Sequence, residues 1–277
     1  MGFKTILVHV DSGQGTPARL KLAADLAGRF AAHVIGLYVR QPFQAPAFTD
    51  AGPAMDSLYQ TYESAVTTDT ATATAAFREA IASKGISSEW QVVDGPVEEA
   101  VVAHARYADL VIVGQAEPEG GAPSTPSDLA EEVALASERP VLIVPHIGVS
   151  RPPARTAMLC WNASREAARA AAGALPLLKG ADKVIVLMID PGKPTGGEVP
   201  GANVAAWLGR HGVKVILQRD AAAGSDVGGV ILSRAADHDV DLIVMGIYGH
   251  SRMRERVLGG ASRTLLATMT APLLVMH

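Results

Sequence analysis

The sequence predicts an α/β protein built twice over: two tandem domains, each a five-stranded parallel sheet with helices on both faces. Three observations predict it. The first is a repeat. Lys4-Thr-Ile-Leu-Val-His-Val-Asp11 returns as Arg155-Thr-Ala-Met-Leu-Cys-Trp-Asn162, which sets Asp11 on Asn162 at an offset of 151. Ala108-Asp-Leu-Val-Ile-Val-Gly114 returns as Val240-Asp-Leu-Ile-Val-Met-Gly246, and Pro140-Val-Leu-Ile-Val as Pro272-Leu-Leu-Val-Met, both at an offset of 132. The halves share a beginning and an end, and the second is 19 residues shorter in between. The second observation is that short β-branched apolar runs alternate with longer alanine-rich stretches of helical periodicity, the pattern of a parallel sheet covered by helices. The third is that those apolar runs are nearly unbroken Val, Ile and Leu, as strands buried on both sides require.

In order along the first half, strands are expected over 5–10, 34–39, 89–93, 110–113 and 141–144. Helices fill 17–31, about 55–83, 97–105 and 127–136. The second half follows with strands over 157–161, 184–188, 214–217, 242–245 and 273–276, and helices over 165–178, 202–209, 227–237 and 261–269. Pro152-Pro153 between the halves favours an extended linker, dividing the chain into domains 1–148 and 154–277.

Composition narrows the function. A chain of 277 residues with 48% hydrophobic and 19% charged residues is an ordinary globular protein of one large or two smaller domains. Its net charge of −4 argues against coating nucleic acid. Cys160 is the sole cysteine, so no internal disulfide can form. No apolar stretch approaches the ~18 residues of a membrane span. The opening residues lack the layout of a signal peptide, and a cytoplasmic location is expected.

Ligands of doubly wound sheets sit at the carboxyl ends of the strands. After the strand 242–245 comes Gly246-Ile-Tyr-Gly249, a nine-residue excursion carrying Arg252, Arg254 and Arg256, then Gly259-Gly260-Ala261-Ser262 at a helix start. Glycines let backbone N–H groups approach a phosphate without Cβ obstruction, and a helix N-terminus supplies free donors and a favourable dipole. Ser262 could cap the helix or reach a phosphate or its cation. The bland alternative is a tight strand-to-helix turn.

Gly246-x2-Gly249-x9-Gly259 resembles the nucleotide signature of the universal stress protein family, G-x2-G-x9-G-(S/T). The strand ending in Asp11, its counterpart ending in Asn162, the strand running into Asp190, Gly95-Pro96 after the third strand and the terminal Pro-Leu-Leu-Val-Met agree with it. The resemblance covers nearly the whole chain as a tandem pair. It implies flavodoxin/Rossmann-like domains of strand order 3-2-1-4-5 that usually dimerise through their last strands, some members binding ATP. Carried over, Gly246, Gly249, Gly259, Gly260, Ala261 and Ser262 would cradle phosphate, possible company being Mg2+. Met245 would lie near ribose or base, and adenine would rest against Cys160 and Met188. Asn162 stands where the family has an aspartate, losing charge, and Gly260 where it has Ser or Thr, losing a hydroxyl. Both departures leave binding open and lower the affinity to be expected.

The first half differs. At the offset of 132, Gly249, Gly259 and Gly260 fall on Glu117, Ser127 and Asp128. Two carboxylates would face the phosphates, and like charges ~4 Å apart repel by about 4 kcal/mol at an effective dielectric of 20. This half is expected to hold no ATP, and Asp11 there reads as a satisfied loop residue. Machinery for catalysis is not legible: there is no Walker loop, dinucleotide fingerprint, nucleophile elbow or metal-spaced histidine pair. The lone histidines are expected at the surface or at caps, Cys160 as a small core residue, and Trp90, Trp161 and Trp207 in packing.

The sequence-level expectation is therefore a stress-response or signalling module that holds an adenine nucleotide in its second half, with slow ATP hydrolysis at most. The alternatives are a nucleotide-free scaffold for an unnamed protein partner, or a binder of another small metabolite in the first half, where 41–95 is long. Leaving the runs 141–144 and 273–276 as bare edges would invite aggregation, so they are expected to pair as an internal pseudo-dimer, which could pair again as a homodimer.

Overall fold

The computed structural model describes residues 2–43, 53–82, 85–117, 125–190, 199, 201–247 and 260–277. The first half runs β1 (Thr5–His9), α1 (Thr16–Phe30), β2 (His33–Arg40), α2 (Pro53–Ala82), β3 (Ser88–Asp94), α3 (Val97–Ala105), β4 (Leu110–Gly114), α4 (Leu129–Ala136) and β5 (Val141–Val144). The second runs β6 (Thr156–Cys160), α5 (Arg165–Leu178), β7 (Lys183–Ile189), α6 (Ala202–Arg210), β8 (Val215–Asp220), α7 (Val227–Asp237), β9 (Leu242–Gly246), α8 (Gly260–Thr268) and β10 (Leu273–Met276). Each expected strand and helix is present, with ends moved by a few residues.

All ten strands join one sheet in the order β3-β2-β1-β4-β5-β10-β9-β6-β7-β8. Within each half the pairing is parallel and follows 3-2-1-4-5. At the seam the direction reverses, and β5 pairs antiparallel with β10, setting Leu142 opposite Leu274 and Val141 opposite Val275. The runs 141–144 and 273–276 thus cover one another, the pairing that the resemblance implies and that leaves neither edge bare. Val141, Leu142, Ile143, Leu273, Leu274 and Val275 are all fully buried, and each such side chain contributes roughly 1.5–3 kcal/mol relative to exposure.

Strand alternation sorts the core into two layers. Ala157 and Leu159 of β6 face the layer of α1, α2, α5 and α6, with Leu20, Phe77, Leu177 and Leu208. Met158 and Cys160 face the layer of α3, α4, α7 and α8, with Val101, Val133, Ile231 and Leu265. One device recurs at the amino ends of the central strands. Asp109 accepts from Lys4 N and Thr5 N at 2.7 and 3.0 Å, and Asp241 from Arg155 N and Thr156 N at 3.0 and 3.2 Å.

Much of the extra length of the first half goes into α2, a helix of 30 residues against nine in α6. Trp161 falls one residue beyond the end of β6. Among the described residues no helix is long and apolar enough to cross a membrane.

Candidate functional site

Parallel register aligns Leu159 with Val244, so Cys160 and Met245 stand side by side at the carboxyl ends of β6 and β9. Both pack on the layer that includes Leu265 of α8. Asn162, just beyond β6, is exposed, and its Oδ1 accepts from Ser164 N at 3.1 Å. Ser164 then caps α5, its Oγ accepting from Ala167 N at 3.1 Å. Burial pushes the Cys160 thiol up to about 12, which leaves it protonated and inert at neutral pH.

Gly246 ends β9, and a Cβ there would collide with the backbone of Glu166 and Ala167. Close approach to α5 therefore demands this glycine whether or not a ligand is present. Gly260 opens α8 exposed, and among the described residues a Cβ there would touch Asp226 Oδ1 at 3.7 Å, an ordinary van der Waals contact. The Thr264 hydroxyl and the N–H groups of Gly229 and Gly228 hold Asp226 below the usual carboxylate range against burial. Ala261 is half-buried and Ser262 is buried in the first turn of α8, which contains no acidic residue. Gly249 and Gly259 lie outside the described residues, as does the excursion with Arg252, Arg254 and Arg256.

Met188 is not brought to this cluster. It lies on the opposite face, with its sulfur 2.7 Å from where a Cβ on Gly201 would stand, at the start of α6. The residues of β7 that share the face of Cys160 are Leu187, its register partner, and Ile189 at the end of the strand. Alternation along β7 carries this information, since only every second residue can face the same way.

The first half places charge at the equivalent positions. Asp11 is buried, and Arg19 Nη2 lies 2.8 Å from its Oδ1. Thr16 also hydrogen-bonds that oxygen and accepts from Arg19 Nη2 at 2.7 Å. Gly13 N donates to Oδ1 at 3.0 Å, and the Thr125 hydroxyl to Oδ2 at 3.0 Å. A Cβ on Gly114, the counterpart of Gly246, would collide with Nη1 of Arg19. The guanidinium thus fills the mouth between β1 and β4. Burial alone would raise the Asp11 carboxyl, but Arg19, His9, Thr16 and Gly13 outweigh it and hold it well below the usual range.

His9 departs from the expectation of a surface histidine, being 2% exposed. Burial and the nearby Arg19 overcome the pull of Asp11 and lower it from 6.5 to about 4. At neutral pH the ring is uncharged, and the 3.8 Å between its Nδ1 and Asp11 Oδ2 is no ion pair. Glu117 is also engaged internally, its Oε1 accepting from Gly15 N at 3.0 Å. Asp128 precedes α4, whose first turn carries Glu131 and Glu132. The acidic helix start was legible in the sequence, whereas the Arg19 plug was not.

The universal stress protein family model matches residues 2–145 and 153–277. The chain belongs to the universal stress protein family. A universal stress protein of Archaeoglobus fulgidus is 18% identical with a TM-score of 0.70, covering 98% of this chain and 95% of its own. A functionally unknown protein of Pseudomonas aeruginosa is 17% identical with a TM-score of 0.60, covering 99% and 92%. At such identities the likeness shows the fold alone. A universal stress protein solved in complex with cAMP is 21% identical over 53% of this chain and 99% of its own, with a TM-score of 0.37. No match is found among curated proteins.

Proposed function

We propose that this universal stress protein is a cytoplasmic adenine-nucleotide-binding module of two domains, 1–148 and 154–277, taking one ATP per chain in the second. The observation that carries this reading is the contrast between two helix starts. α8 opens with Gly260 and Ala261 and has no acidic residue in its first turn, whereas Asp128, Glu131 and Glu132 gather at the start of α4. At the first, an anion gains from the free N–H groups and dipole against one nearby carboxylate, Asp226, which already accepts hydrogen bonds from Thr264, Gly228 and Gly229. At the second it meets three carboxylates. Cys160, Met245 and Ile189 would bound the base, and Asn162 would meet a ribose hydroxyl. Gly249 and Gly259 would complete the phosphate cradle.

The site fits the group on an observation of its own: Gly260 is exposed at the start of α8, so a phosphate oxygen could reach its N–H without meeting a side chain of that residue. Mg2+ would be carried in by the triphosphate oxygens. The module senses or signals by holding the nucleotide; a protein partner would read that state.

Calorimetric titration of the full chain with ATP tests the reading. The expected stoichiometry is one per chain. Gly260→Asp installs the residue that the first half has at this place and should weaken ATP at least tenfold, about 1.4 kcal/mol or more. The variant should stay folded, with a modest drop in its unfolding midpoint because the new carboxylate stands beside Asp226. Two sites per chain, or unchanged affinity in this variant, would overturn the proposal.

A further inference from the structure

We propose that the second half carries a separate site, on the sheet face away from Cys160 and Met245, for a small uncharged planar aromatic molecule bearing one amide or carbonyl group. The site is a cavity of about 310 Å3 between α5 and α6, lined by Trp161, Ala168, Ala171, Asn203, Val204 and Trp207. Alternation places it. Cys160 packs on the layer of α7 and α8, while Trp161 packs on the layer of α5 and α6.

The lining chooses the ligand. It contains no charged side chain, so a phosphate or an ammonium would give up hydration there without a partner. The volume sits at the low end of small-molecule pockets, roughly 300–1,000 Å3, which suits one or two fused rings. Two indoles offer faces and edges for aromatic packing. The Asn203 amide and both indole N–H groups have no hydrogen-bond partner among the described residues, so they can fix one polar group on the ring.

The first half shows what an occupied version of this space looks like. At the offset of 151, Trp161, Ala168 and Ala171 correspond to Val10, Pro17 and Leu20. Val10 and Leu20 are fully buried there, and α1 packs along the 30-residue α2. The second half has alanine in place of Leu20 and a nine-residue helix in place of α2. Among the described residues, the space that Leu20 and α2 fill in one half is in part taken by the larger Trp161 in the other, and the remainder is the cavity.

The test uses the full chain labelled with 15N and benzamide or 1-naphthamide as the probe. The protein has three tryptophans, so three indole N–H signals report, assigned with Trp161→Phe and Trp207→Phe. The Trp161 and Trp207 signals should move saturably. The Trp90 signal, from a ring packed on Phe77 in the first half, should not, and excess ATP should not change the probe's affinity. Ala171→Leu should abolish the shifts by restoring the first half's floor. Should that variant misfold, Ala168→Leu at the exposed rim should weaken them in a folded chain. No saturable shift up to the solubility of the probes, movement of Trp90 in step, displacement by ATP, or shifts that persist in a folded leucine variant would each overturn the site. Failure of ATP binding alone would leave it standing, because the two sites share no residue.

Discussion

At the carboxyl end of β1, the first half buries a carboxylate, a guanidinium, a neutral imidazole and a threonine hydroxyl. At the same end of β6, the second half has Asn162, Ala170, Cys160 and Ala167 in their places. The backbone turn is shared: Asp11 accepts from Gly13 N at 3.0 Å and Asn162 from Ser164 N at 3.1 Å. What differs is the charge: the first mouth is filled by an ion pair, whereas at the second the buried Glu166 turns to Arg165 at the start of α5. A buried carboxylate needs a cation and donors from somewhere, and Arg19, Thr16 and Thr125 provide them from within the chain. The comparison teaches that the mouth between the first and fourth strands can be filled by internal ion pairing without altering the sheet that frames it.

The most disruptive way to probe this contrast is Arg19→Ala. It leaves the Asp11 carboxylate buried and unpaired, a loss on the order of 3–5 kcal/mol. Urea unfolding at pH 7 should register it, and the double variant Arg19→Ala with Asp11→Asn, which copies the second half, should recover a large part. A cost below about 1 kcal/mol would mean that the pair behaves as a surface bridge and the contrast is not energetic.

A slightly smaller effect should come from acid. The folded state lowers His9 to about 4 from its ordinary 6.5, so the unfolded chain binds a proton first. Stability is therefore full above pH 6.5, falls as pH drops from 6.5 to 4, and stops falling on this account below that. The total is about 3 kcal/mol at most. Asp11 is held below the usual carboxylate range and keeps its contribution through this window, losing it only in stronger acid. His9→Gln should flatten the slope between those limits in pH-dependent unfolding, and a slope that survives would assign it to another group.

The smallest effect sharpens the second half. Asn162→Asp restores the charge that the family carries there and should tighten ATP by roughly 0.5–1.5 kcal/mol in calorimetry, the gap between charged and neutral hydrogen bonds. Asp11→Asn should leave ATP affinity unchanged wherever the chain is folded, because its own half is sealed. Equal responses to the two substitutions would erase the distinction between the mouths.

The repeat made the architecture legible. Offsets of 151 and 132 placed strands in both halves, and the apolar runs 141–144 and 273–276 pointed to the β5–β10 seam. Side-chain direction was legible too, but only with alternation applied residue by residue, which separates Met188 from Ile189. Arg19 was hidden for a different reason. On a helix beside Leu20, a lone arginine reads as solvated surface, and only the approach of β4 at Gly114 and of Asp11 turns it inward. His9 carried a partial signal, lying between Val8 and Val10 in an apolar strand, which favours burial over a cap. Gly246 illustrates an ambiguity of motifs, since α5 packing and a phosphate cradle both ask for a glycine there.

The antiparallel seam has a consequence for how the two mouths could diverge. In a homodimer of single domains, any substitution appears twice, so an arginine that closes one mouth closes both. Joining the copies in one chain, with β5 and β10 zipped together, breaks that constraint. One copy can carry a permanent internal salt link at its mouth, as Asp11 and Arg19 do, while the other keeps a different set of residues there. The two copies are also always present in equal number and always face each other, so a response in one has a fixed neighbour through which to be read.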